Sequence, residues 1–144
     1  MSDLTKNQDA ASKYLAPFKD TVTGHFINGE IVRPDKSKTF ENLCPADNSS
    51  LGEICQATQT EVDEACNCAA EAFPKWGDLG PNERRVRLHT LADHIEERAE
   101  EIALVESMDC GQPIRFMKQA AIRGAANFRF FADKAPEACN GLAL

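Results

Sequence analysis

The sequence predicts short antiparallel hairpins followed by three α-helices, a mostly α chain. Three observations predict it. An Asn-Gly pair sits between two apolar pairs, the apolar spacing changes to a helical period at Thr58, and Pro and Gly punctuate the second half at regular helix ends.

The first 24 residues are polar and without a steady period, so they are expected to form a disordered or loosely docked extension, with at most a helical turn near Lys13–Phe18. Order is expected from His25. In Phe26-Ile27-Asn28-Gly29-Glu30-Ile31-Val32 the Asn-Gly pair suits a type I′ turn, which needs positive φ twice, and Pro34 stops the second strand. A second pair, Thr39–Cys44 and Leu51–Ala57, is joined by Pro45-Ala46-Asp47-Asn48-Ser49-Ser50, in which Asn48 tolerates the left-handed turn conformation.

Thr58-Gln59-Thr60-Glu61 has the form of a capping box, where hydroxyl and carboxylate each satisfy an unpaired backbone N–H. Val62, Ala65, Cys66, Ala69 and Phe73 then line one helix face, and Pro74 marks the expected end, giving a helix over 59–73. Gly80-Pro81 opens the next helix, over 81–109, with Leu88, Leu91, Ile95, Ala99, Ile102 and Val105 inward and a candidate break near Arg98. Gly111 is a C-terminal stop and Pro113 starts a third helix over 113–135, which Pro136 ends.

Sixteen Lys and Arg against 23 Asp and Glu give a net charge of −7. That balance argues against a nucleic-acid partner. Six acids and one base lie between Asp93 and Glu106, so the excess is concentrated there. The longest stretch without formal charge, Thr21–Gly29, is far below the roughly 18 residues of a membrane span, and the start Met-Ser-Asp-Leu-Thr-Lys lacks the basic and apolar regions of a secretory signal. The expectation is a soluble, cytoplasmic protein without membrane association.

Cys44, Cys55, Cys66, Cys68, Cys110 and Cys139 lack metal-hook spacing. Cys66 and Cys68 point about 200° apart on a helix and cannot share one ion. All six are expected to be reduced and mostly buried. No dinucleotide-binding Gly-x-Gly-x-x-Gly, phosphate loop, metalloprotease or nucleophile-elbow motif occurs. Glu96, Glu97, Glu100 and Glu101 read as a solvated face with nothing nearby to shift their pKa values. Arg84, Arg85 and Arg87 read as surface partners for those acids. Arg123 stands out, because Ala120-Ala121-Ile122 and Gly124-Ala125-Ala126 flank it with small or apolar residues. An Arg so placed either snorkels to water or points at an anion in a pocket.

The series Phe26-Ile27-Asn28-Gly29, Pro45…Gly52-Glu53, Glu61-Val62-Asp63-Glu64-Ala65, Ala72-Phe73-Pro74-Lys75-Trp76, Glu83-Arg84, Leu91-Ala92-Asp93-His94-Ile95-Glu96, Glu106–Pro113 and Asn127–Ala132 resembles the N-terminal quarter to third of the NAD(P)-dependent aldehyde dehydrogenase superfamily. Cys44 and Asn48 depart from the usual Asn and Gly of that pattern, and residues 1–24 fall outside it. The resemblance implies an α/β enzyme, with residues 25–144 as the N-terminal portion of its coenzyme domain, cut short before the dinucleotide-binding strands. It implies a homodimer or homotetramer using NAD or NADP to oxidise an aldehyde through a Cys thioester. The nucleophile, general base and cofactor loops of the family lie beyond the matched region, so no catalytic residue and no cofactor binding are expected in this chain alone.

The segment Arg123–Asp133 is most similar to the muconate-semialdehyde branch, in which the matching Arg holds a substrate carboxylate. Asp109 matches an acid that in many members helps bind a monovalent cation with main-chain carbonyls at Leu43 or Asn42. The alternative is a non-catalytic helical remnant or interaction module. The reading frame downstream of the last codon would separate the two.

Overall fold

The computed structural model describes residues 3–35 and 38–138. Helix α1 (Asp3–Asp20) leads into hairpin β1 (His25–Ile27) and β2 (Glu30–Val32), then hairpin β3 (Thr39–Leu43) and β4 (Ser50–Cys55). Helices α2 (Gln59–Gly77), α3 (Pro81–Glu97), α4 (Ala99–Cys110) and α5 (Ile114–Ala138) follow.

Local chemistry explains most of these elements. Asn28 and Gly29 take φ of 52° and 84°, the two positive values the first hairpin turn requires, and Asn48 takes 57° in the second. Thr58 and Glu61 form both halves of the capping box at the start of α2. The predicted break falls at Arg98, whose guanidinium forks onto both oxygens of Glu101 and so holds the first turn of α4. Gly111 ends α4 at φ 72°, its N–H donating to the Ser107 carbonyl at 3.1 Å.

Two helix ends differ from expectation. α2 runs through Pro74 to Gly77, and α5 through Pro136 to Ala138. Proline removes its own N–H but leaves its carbonyl, and Asp78 N–H closes on that of Pro74 at 2.9 Å.

The N-terminal segment is the main correction. Instead of a disordered extension, Asp3–Asp20 is an 18-residue helix. It buries Ala11 and Leu15 with Cys44, Leu51 and Leu104, flanked by Tyr14, Val105 and Met108. Hydrophobic burial against α4 and β4 overrides the segment's polar composition. The chain after α1 is tied to β4 as well, Thr23 N–H donating to the Glu53 carbonyl at 2.8 Å and Cys55 N–H to that of Thr23 at 2.9 Å.

α5 packs along α3 and α4 through Ala121, Ala125 and Ala132, small residues that let the helices approach closely. α2 rests on β1 and buries none of its residues. Among the described cysteines, all free, Cys44 and Cys55 are buried, Cys68 is half-buried, and Cys66 and Cys110 are exposed, against the expectation of mostly buried thiols. The exposed pair lie on faces of α2 and α4 left open among the described residues. Cys139 lies outside the described residues. None of the helices among the described residues is long and apolar enough to cross a membrane.

Candidate functional site

Arg123 lies on α5 opposite its packing face. Ala121 and Ala125 precede and follow it by two residues, about 200° around a helix, and both are buried, so the Arg123 side chain stands on the outward surface. It is exposed and takes part in no hydrogen bond or ion pair among the described residues, unlike Arg85, Arg87, Arg98 and Arg129. Asn127 and Phe130, one and two turns on, share that surface and are exposed too.

Several other charges form ion pairs within or between helices. Arg129 bridges α5 to α3, donating to Asp93 Oδ1 at 2.7 Å and Glu96 Oε2 at 2.6 Å. These two hydrogen bonds hold its guanidinium protonated above the ordinary range. The Arg98 fork holds the Glu101 carboxyl below the usual carboxylate range. The acidic face is therefore not free of basic neighbours, as the sequence alone suggested; one stands three positions away and another comes from α5. Arg84, Arg85 and Arg87 do not serve those acids. Arg87 pairs with Glu83, Arg85 with Asp133, and Arg84 donates to the Gly77 carbonyl. Each finds its partner within about a helical turn or two, or across the α3–α5 contact.

Asp109 and Asn42 are brought together. Asn42 Nδ2 donates to Asp109 Oδ1 at 2.6 Å, joining β3 to the end of α4. The β3–β4 ladder shifts register between Asn42 and Leu43, a bulge that disrupts pairing where the cation reading calls for main-chain carbonyls. Leu43 is exposed. Asn42 meets Asp109 as a side-chain donor, whereas the resemblance calls on a carbonyl there. No direct bond links Arg123 to this pair among the described residues.

A cavity of about 220 Å³ lies beside Asp109 and Asn42, between α1, the second hairpin and α4. Leu15 and Phe18 of α1 contribute to its wall. The sequence reading missed this wall with the helix that carries it, although Ala11, Leu15 and Phe18 already fall at i, i+4 and i+7.

Comparison with known proteins places the chain. The model of the aldehyde dehydrogenase family matches residues 31–142. The chain belongs to the aldehyde dehydrogenase family. Among aldehyde dehydrogenases it is 39% identical over 111 residues to 2-hydroxymuconic semialdehyde dehydrogenase of Pseudomonas sp. strain CF600, covering 76% of this chain and 23% of that protein. The structure of HpcC from Thermus thermophilus superposes with a TM-score of 0.85 and 35% identity over 91% of this chain and 25% of that one. That share is larger than residues 25–144 can supply, so the likeness to this structure extends into the first 24 residues. PnpE, solved in complex with nicotinamide adenine dinucleotide, matches with a TM-score of 0.75 and 37% identity over 81% of this chain and 24% of its own. The chain, a member of the aldehyde dehydrogenase family, thus spans about a quarter of the length of these relatives.

Proposed function

We propose that this chain is the N-terminal part of an NAD(P)-dependent aldehyde dehydrogenase that oxidises a carboxylated, muconate-type semialdehyde from aromatic ring fission. The observation that carries the reading is Arg123, a guanidinium without a protein partner among the described residues, on the outward face of α5. A planar, permanently charged fork with small neighbours suits a carboxylate. The 39% identity to an enzyme named for 2-hydroxymuconic semialdehyde supports the same substrate class.

In this reading aldehyde, water and the oxidised dinucleotide yield acid, reduced dinucleotide and a proton. A cysteine thiolate outside this segment adds to the carbonyl and water releases the acid. Arg123 contributes by orienting the substrate's carboxylate end. The assembly is a homodimer or homotetramer. Asp109 would supply the anionic ligand of a monovalent cation, with the Asn42 or Leu43 carbonyl beside it; the bulge favours this, and the Asn42 amide on Oδ1 competes with it.

The test is Arg123→Ala in the complete enzyme. A charge-assisted bidentate pair is worth about 1.5–3 kcal/mol, so KM for a muconate-type semialdehyde should rise roughly 10- to 150-fold. Benzaldehyde should be nearly unaffected, and Arg123→Lys should recover only part. Equal loss on both aldehydes would make Arg123 structural and remove the muconate substrate, leaving the family unchanged.

A further inference from the structure

We infer that Gln119 determines specificity together with Arg123: its carboxamide reads an oxygen substituent on the carbon next to the carboxylate that Arg123 holds. The inference rests on the anchoring role proposed for Arg123 and adds the contact that tells a 2-hydroxy or 2-oxo acid from an unsubstituted one.

The outward face of α5 carries it. Gln119 precedes Arg123 by four residues and Asn127 follows it by four, each about 40° around the helix from it. Phe116 and Phe130, seven residues away on either side, fall within about 20° of the same line. All of these are exposed. Ala120 and Ala126 stand between them and offer no polar side-chain atom. Besides Arg123, the polar side chains on this stripe are therefore the two carboxamides, and neither takes part in a side-chain hydrogen bond among the described residues. Arg115, about two turns before Arg123, is engaged elsewhere, its guanidinium 4.7 Å from the centre of the Phe116 ring.

Side-chain direction separates the two carboxamides. Long side chains on a helix lean back toward its N-terminus, so Arg123 carries its guanidinium over the turn that holds Gln119, and the shorter Asn127 covers the Arg123 stem. A carboxylate gripped by that guanidinium brings its neighbouring carbon to the Gln119 side of the grip. A carboxamide has both a donating NH2 and an accepting oxygen, so it serves a 2-hydroxyl and its 2-oxo tautomer alike. A second cation at this position would only add to the hold on the carboxylate.

The test measures kcat and KM of the complete enzyme on three aldehydes: 2-hydroxymuconic semialdehyde, the same dienoate without the hydroxyl, and benzaldehyde. The parent should prefer the hydroxylated aldehyde. Gln119→Met, apolar and of similar length, should lower kcat/KM for that aldehyde roughly 2- to 10-fold and leave the other two unchanged. Gln119→Glu puts a carboxylate four residues before Arg123, where it pairs with the guanidinium, so KM should rise for both carboxylated aldehydes and not for benzaldehyde. A hydroxyl preference untouched by Gln119→Met, equal loss on all three aldehydes, Gln119→Glu without effect on KM, or a preference erased by Asn127→Ala instead would overturn the inference. Arg123→Ala separates it from the reading beneath. If that variant weakens both carboxylated aldehydes and spares benzaldehyde while Gln119→Met leaves the hydroxyl preference intact, the anchor stands and only Gln119 falls. If Arg123→Ala slows all three alike, both fall.

Discussion

His89 Nε2 lies 2.9 Å from Asp133 Oδ1, 44 positions away in the chain, and so fastens α3 to α5. Arg85 Nε reaches the same oxygen at 2.6 Å. The hydrogen bonds from His89 and then Arg85 hold the Asp133 carboxyl below the usual carboxylate range.

A depressed carboxylate pKa in the folded state contributes stability that is present above the unfolded value, about 3.9, and is lost as pH falls through the folded one. Asp133→Asn should therefore lower the urea midpoint at pH 7, with the gap to the parent closing towards pH 3. A gap of constant size from pH 7 to pH 3 would show that the ionised carboxylate contributes nothing.

Removing side-chain volume from the docked face of α1 should be costly. Leu15 is 4% exposed and Leu4 is 67% exposed on the same helix. Leu15→Ala should cost about 2–5 kcal/mol in urea denaturation, and Leu4→Ala less than about 0.5 kcal/mol. Equal small effects would mean that α1 does not share the core in solution.

Two glycines with positive φ should respond differently to alanine. Gly29, at φ 84°, has no atom within 4 Å of an added Cβ, so Gly29→Ala should cost only the backbone term of about 1–2 kcal/mol. Gly52, at φ 124°, meets the Phe18 carbonyl, and Gly52→Ala should add displacement of α1 for a total of about 3 kcal/mol or more. Thermal melts with similar losses at both positions would contradict the close approach.

The α2 cap should be visible by mutation and by pH. Thr58→Ala should cost about 1 kcal/mol at pH 7. Bonds from the Thr58 side chain and backbone N–H hold Glu61 below the ordinary range, so the Glu61 half of the box is lost on acidification. The difference between parent and Thr58→Ala should accordingly shrink near pH 3, measured by urea unfolding. A difference that grows in acid would exclude the paired arrangement.

Features that depend on neighbours within about a helical turn were legible from sequence alone. Asn28-Gly29 specified a hairpin because few other pairs accept two positive φ values, and Thr58 with Glu61 specified where α2 begins. Gly111 marked the end of α4, and the run of motifs from Phe26 to Ala132 pointed to the family before any coordinates.

Tertiary structure decided the rest, because contacts between distant positions leave no local pattern. A polar, proline-containing segment became helix α1 only because Ala11 and Leu15 found Leu51 and Leu104 to bury against. Arg129 paired with Asp93 and Glu96, while Arg123, six residues earlier and equally charged, took no partner among the described residues; helix rotation relative to α3 made that choice. Asn42 and Asp109, 67 positions apart, met because the second hairpin packs beside the end of α4, and the cavity next to them exists because α1 closes over it. The periodicity of α5 could place Arg123 on a face, but only the packing of its alanines on α3 and α4 decided that this face is the one turned outward.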